Sequence, residues 1–211
     1  MTALIETVRV MGGRAPLWGL HVARVRAASV ALGLDVAVPP EPAGGEDRIV
    51  RCEIHPNGVA VTSRASSSPA SLSLCASVVP HPGYSWKTDL REPFDAAFAE
   101  ARAAGADDAL LLSVDGLVRE ASRWAIVWQR EDGRVGAPPL SSGVLRSVAR
   151  ARLGMMLDAG IVEEEVDLGR LQGRPVAVLN AARGLVSVAE IDGRGIPAWD
   201  GWSALAARFW P

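Results

Sequence analysis

Lys87 is the only lysine among the 22 lysine and arginine residues of this 211-residue chain. An ammonium can do one thing a guanidinium cannot: it gives up its proton near neutral pH when burial or neighbouring cations disfavour the charge. The free amine is then a nucleophile that condenses with a carbonyl to a Schiff base, or a base that moves a proton. A coding bias that exchanges lysine for arginine would also leave one survivor, so composition alone does not choose between the two. Cys52 and Cys75 lack metal-ligand spacing and are too few for a disulfide framework, so both read as small buried hydrophobes and no metal is expected.

The elements that must position Lys87 follow from pattern. Residues 3–10 alternate as a strand and Gly12-Gly13 turns the chain. A helix is predicted from about Leu20 to Leu34, with Val22, Val25, Ser29 and Leu32 on one face. Strands Ile49–His55 and Val59–Arg64 flank Pro56-Asn57-Gly58, a strong hairpin signal, and Leu72–Val79 reads as a further strand. Beyond Pro80-His81-Pro82-Gly83, residues 93–105 suit a helix with proline in its first turn and glycine after its end. Strands are predicted at 109–114, 117–119, 124–129, 176–179 and 186–190, with helices at 144–159 and 199–210. Strands that follow one another, mixed with helices, make the class α+β, with a smaller part at 1–80 and a larger one at 84–211.

Charge and hydropathy narrow the function. A net charge of −2 and a pI near 5.9 give no footprint for nucleic acid or an anionic membrane. The first residues lack a basic stretch followed by an apolar run, and nothing approaches the roughly 18 apolar residues of a membrane span, so a cytoplasmic protein is expected.

The segments around Lys87 resemble the class IV (fold type IV) pyridoxal-phosphate enzymes, which include branched-chain and D-amino-acid aminotransferases and 4-amino-4-deoxychorismate lyases. Glu6-Thr7-Val8-Arg9 with Gly13 is similar to the family's "ETxRxxxG", and His21-Val22-Ala23-Arg24 to its "HxxRL". Lys87 precedes Asp107-Asp108-Ala109-Leu110-Leu111-Leu112, like "K…DEALLL", and residues 115–120 match "DGxVxE". Pro138-Pro139-Leu140, Gly143-Val144-Leu145 and Arg150 match "PPxxxGxLxGxxR". The family order and spacing hold over nearly the whole chain.

What this resemblance implies is a two-subdomain fold like that of D-amino-acid aminotransferase, pyridoxal 5′-phosphate as cofactor, and a homodimer acting on a small-molecule amine. Lys87 would form the Schiff base and then act as the base, and Glu120 would face the pyridine nitrogen. Arg24 would pair with the phosphate through a charge-assisted contact of one or two hydrogen bonds, the helix start at Ser147, Val148 and Ala149 would add backbone N–H groups, and Ala181 stands where some members carry a phosphate-binding hydroxyl. Taken alone, Arg24 is a solvated helix arginine and Glu120 a surface strand residue.

Residues 180–188, Asn180-Ala181-Ala182-Arg183-Gly184-Leu185-Val186-Ser187-Val188, are similar to the "NSxRGxxPV" of aminodeoxychorismate lyases, rather than to the "SGTAAxxxPV" of branched-chain aminotransferases. The resemblance therefore implies release of 4-aminobenzoate and pyruvate, a step of folate biosynthesis. Arg183, Asn180 and Arg51 would bind substrate; an exposed strand cation is the other reading of Arg51. An aminotransferase acting on branched-chain or D-amino acids is the first alternative. A non-catalytic homologue is the second, because the family's "EGxxxN" is here Glu120-Ala121-Ser122-Arg123-Trp124-Ala125. His21 is expected to be structural, beside Arg24, with His55 and His81 in loops or on the surface. Among the seven tryptophans Trp86 is the first candidate to line a pocket.

Overall fold

In the computed structural model, which describes residues 2–211, alternation turns the first segment into β1 (Leu4–Val10), with Leu4, Ile5, Val8 and Val10 buried. Gly12 and Gly13, both at positive φ, reverse the chain into α1 (Trp18–Leu32). β2 (Arg48–His55) and β3 (Gly58–Ala65) complete an antiparallel three-stranded sheet of order β1-β2-β3. α1 packs on it through His21, Val25 and Ala28, and Val25 and Ala28 meet Leu4, Val10, Val50, Cys52 and Ile54 in one core. Leu32, expected on that face, continues the stripe of His21, Val25 and Ala28 but is the last residue of α1 and is exposed there.

The larger part is built on a nine-stranded mixed sheet: β4 (Ser71–Ala76), β5 (Asp108–Leu112), β6 (Val118–Ala121), β7 (Ala125–Gln129), β8 (Val135–Ala137), β9 (Val162–Glu163), β10 (Val176–Asn180), β11 (Gly184–Ile191) and β12 (Arg194–Gly195). Eight strands run in the order β6-β5-β4-β11-β10-β7-β8-β9, and β12 pairs with β11. Helices α2 (Glu92–Ala103), α3 (Val148–Met156), α4 (Leu168–Gln172) and α5 (Asp200–Ala207) complete it. The central strands are apolar on both faces because both are covered. Ile126, Trp128 and Val178 join one core, while Val127, Ala177 and Leu179 join another with Leu153, Trp202 and Phe209.

Two boundaries differ from expectation. The sheets part between Ala65 and Ser71, not at residue 80, since Leu72 and Leu74 bury β4 in the larger core. The helix expected from 144 begins at Val148, where Ser147 caps it by accepting from the Arg150 N–H. Among the described residues no helix is long and apolar enough to cross a membrane.

Candidate active site

Residues 80–91 link β4 to α2 and run between the two sheets. The Ile5 N–H donates to the Lys87 carbonyl at 2.8 Å, and the Asp89 N–H to that of Ala3 at 3.1 Å. On the other side the Tyr84 N–H reaches the Gly143 carbonyl at 2.6 Å, and the Arg146 N–H reaches that of Ser85 at 3.1 Å. The Tyr84 hydroxyl accepts from the Thr88 N–H at 2.7 Å, closing a tight loop around the lysine. Lys87 is thus clamped by its backbone to β1 on one side and to the approach to α3 on the other. Its side chain lines a cavity of about 290 Å³ between the two parts of the fold. The residue keeps some accessible surface there, and its amine makes no hydrogen bond or ion pair among the described residues. Burial first, then the charges of Arg91, Arg24 and Arg51, against the opposing pull of Glu6, bring the amine down to about 7.

Glu120 sits on β6 opposite Leu111, buried at the cavity wall. One oxygen, Oε1, lies 2.7 Å from His81 Nε2 and accepts from the Leu145 N–H at 3.1 Å. His81 Nδ1 accepts from the Gly83 N–H at 3.1 Å, so the imidazole proton must sit on Nε2 and point at the carboxylate. The second oxygen has no donor among the described residues and is left for the cavity. His81, expected in a loop or at the surface, lies in a loop with its side chain nearly inaccessible against Phe94.

Arg24 is held by a residue that the motif contained but that had no assigned role. Its Nε and Nη2 donate to the two oxygens of Glu6, the former at 2.9 Å, and Nη1 lies 3.4 Å from the Arg146 carbonyl. The fork offered to a phosphate is therefore engaged by Glu6, and only outward N–H groups remain. Burial alone would raise the Glu6 carboxyl; the Arg24 charge and the His21 hydrogen bond outweigh it and bring it down to about 2. His21, fully buried, is pushed down chiefly by burial, against Glu6, and hydrogen-bonds Glu6 through Nδ1. It lies behind Arg24 and does not line the cavity.

At the start of α3 the Val148 and Ala149 N–H groups find no acceptor among the described residues. Ser147 and Val148 line the cavity, and Ala149 lies behind them in the core. Asn180, Ala181, Arg183 and Arg51 line it too. Asn180 Oδ1 accepts from the N–H groups of Ala182 and Arg183, and its Nδ2 donates to the Arg123 carbonyl, so its amide shapes the turn. Arg51 is paired with Glu53 at 3.0 Å. Trp86 packs on the smaller core under Arg146, while Trp124 lines the cavity in its stead.

These residues fit the phosphate-bearing pyridine aldehyde that the resemblance implies. A recessed amine near neutrality faces the same space as a carboxylate oxygen awaiting a donor and a helix start with unused N–H groups.

A model of the class IV amino-transferases matches residues 3–191. No curated protein matches the chain in sequence. Among solved structures, a candidate 4-amino-4-deoxychorismate lyase from Legionella pneumophila superposes with a TM-score of 0.83 at 17% identity, covering 98% of this chain and 91% of that one. A candidate branched-chain amino acid aminotransferase from Thermotoga maritima gives 0.83 at 17%, covering 99% and 86%. The PLP-bound form of a hypothetical aminotransferase from Mycobacterium tuberculosis gives 0.79 at 19%, covering 98% and 87%. At these identities the likeness is one of fold.

Proposed function

The chain belongs to the class IV aminotransferase family, and we propose that within it this protein is a 4-amino-4-deoxychorismate lyase. It is an enzyme, and pyridoxal 5′-phosphate is the cofactor of its family. The observation that carries the reading is an amine near neutrality, Lys87, in one cavity with Glu120, the α3 start and the arginine-bearing turn at 180–184.

Each side chain has a task that follows from its surroundings. The α3 N–H groups of Val148 and Ala149, with the outward N–H groups of Arg24, would hold the phosphate. Glu120, its Oε1 fixed by His81 and Leu145, would present Oε2 to the ring nitrogen and favour its protonated form. Bound there, the cofactor supplies an aldehyde for the substrate amine and a cationic ring that makes the adjoining carbon acidic. Lys87, whose amine burial and the neighbouring arginines bring down to about 7, would take the proton from the ring carbon that bears the amine. Loss of that proton and of the enolpyruvyl oxygen turns the ring aromatic, leaving 4-aminobenzoate and, after protonation of the enol carbon, pyruvate.

We place the enzyme in the cytoplasm, in keeping with two free thiols. We also propose a homodimer: β3 exposes Val59 and Val61 on the face that does not carry Arg64, as a strand with that face covered by a second copy would in the isolated chain.

The test is to supply the holoenzyme with 4-amino-4-deoxychorismate and to assay 4-aminobenzoate and pyruvate, with Lys87→Ala as the control. Stoichiometric formation of both by wild type and none by the variant supports the reading. Keto acids from an amino-acid panel without 4-aminobenzoate would instead make it an aminotransferase.

A further inference from the structure

Six of the side chains lining the cavity are arginines, far more positive charge than Glu120 and Asp95 can balance. Three of them have carboxylate partners: Arg24 has Glu6, Arg51 has Glu53 and Arg91 has Asp95. The other three, Arg64, Arg123 and Arg183, have none within ion-pair distance among the described residues. They come from three separate segments: the end of β3, the turn between β6 and β7, and the turn between β10 and β11. These are not the elements that carry the phosphate-side groups, α1 and α3.

Each of these turns is fixed by contacts that leave the charge unneutralised. Arg183 Nε donates to the Ser67 carbonyl at 3.0 Å, and its guanidinium lies over the Trp124 ring at 5.8 Å. Arg123 stacks 3.4 Å from the centre of the Phe98 ring. Its turn is anchored at Ser122, whose hydroxyl donates to the buried Asp108 and whose carbonyl accepts from Arg91 Nη2 at 2.6 Å. Burial first, then the charges of Arg64 and Arg123, hold the Arg183 guanidinium below its ordinary value. Three cations built into one rim repel one another, and an anion bound among them removes that cost. Guanidinium is also the group best shaped for carboxylate.

We propose that Arg64, Arg123 and Arg183 form an anion subsite at the rim of the cavity that takes the substrate's carboxylate remote from its amine. The subsite makes the enzyme selective for amines that carry a second, distal carboxylate. Assigning the anion to the substrate rests on the lyase reading above, whereas the subsite itself rests on the three unpaired arginines.

The experiment uses the pyridoxal-phosphate-loaded enzyme and two unreactive probes of equal shape, 4-hydroxybenzoate and its neutral amide, 4-hydroxybenzamide, with binding followed by calorimetry. Wild type is expected to bind the carboxylate at least tenfold more tightly than the amide. The preference should fall at least fivefold in R64Q/R123Q and by less in R64K/R123K, which keeps the charge without the planar fork, with the cofactor's visible band unchanged in both. If the double variant loses its fold, R123Q alone, at an exposed side chain, is expected to reduce the preference at least twofold. A wild-type preference near one, or a preference that the glutamine substitutions leave intact, overturns the subsite. A collapsing preference upholds it even when the lyase assay is negative, and then it is the substrate assignment that falls.

Discussion

Lys87 holds its amine near neutrality at a cost to the fold that can be measured. In the unfolded chain a lysine titrates near its ordinary value of about 10.4, whereas burial and the charges of Arg91, Arg24 and Arg51 bring it to about 7 in the folded protein. Between these values the unfolded chain binds more protons, so this group makes stability rise with pH from 7 to about 10, and its full cost is present below 7. Replacing Lys87 with Met removes the group. The cofactor-free variant is expected to exceed wild type at pH 6 by roughly 2–4 kcal/mol, a figure discounted because the side chain keeps some contact with cavity water. That gap should narrow as pH climbs to 10, as read by urea unfolding; an equal gap at both pH values would show that the amine keeps its ordinary acidity. Lys87 was legible because one lysine stands out among arginines. His81 and Glu6 were not, since their tasks depend on a backbone N–H at Gly83 and on Arg24 and His21, partners that only folding brings together.

The elements around the lysine are coupled through glycine. Gly143, at φ 82°, closes the short 3₁₀ turn Leu140–Ser142, and a Cβ built there would lie 3.2 Å from the Gly83 Cα. That contact joins the approach to α3 to the segment carrying Lys87, alongside the Tyr84–Gly143 and Arg146–Ser85 hydrogen bonds. Gly143→Ala should therefore cost about 1–2 kcal/mol of stability through backbone strain and also weaken cofactor binding severalfold by shifting Lys87. Gly160→Ala is the control: its φ of 64° is equally strained, but nothing lies within 4 Å of the added carbon, so it should lose stability and keep affinity. Thermal melts and cofactor titrations of the two variants separate these effects, and equal cofactor affinities would show that the contact is not transmitted. At this scale the long strands and helices were readable from alternation and apolar runs. β8, β9, β12 and α4, of two to five residues, are too short to show a period. α3 starts at Val148 because Ser147 is extended and caps it, while the Leu145 and Arg146 N–H groups tie the segment before it to Glu120 and to the Ser85 carbonyl, tertiary contacts that no local pattern records.

At the scale of the whole molecule the charge is divided unevenly, and this sets how an anionic substrate arrives. The chain as a whole carries a net charge of −2, a mild repulsion for an anion at a distance. The cavity between the two sheets has the opposite sign: three of its six arginines are paired with Glu6, Glu53 and Asp95, and three are unpaired, with Arg64 and Arg123 exposed at its rim. Fields of this kind are focused by the low-dielectric walls of a cleft and are felt within about 10 Å at 0.1 M salt, so approach is steered by the rim and not by the net charge. Under the proposed activity, kcat/KM should fall roughly three- to tenfold between 50 and 500 mM NaCl, with kcat nearly constant because the bound anion is screened far less than the approaching one. Initial rates across that range check this directly. A kcat/KM that rises with salt would mean that the acidic exterior governs encounter, and one that stays flat would mean that the arginines act only after the substrate has entered.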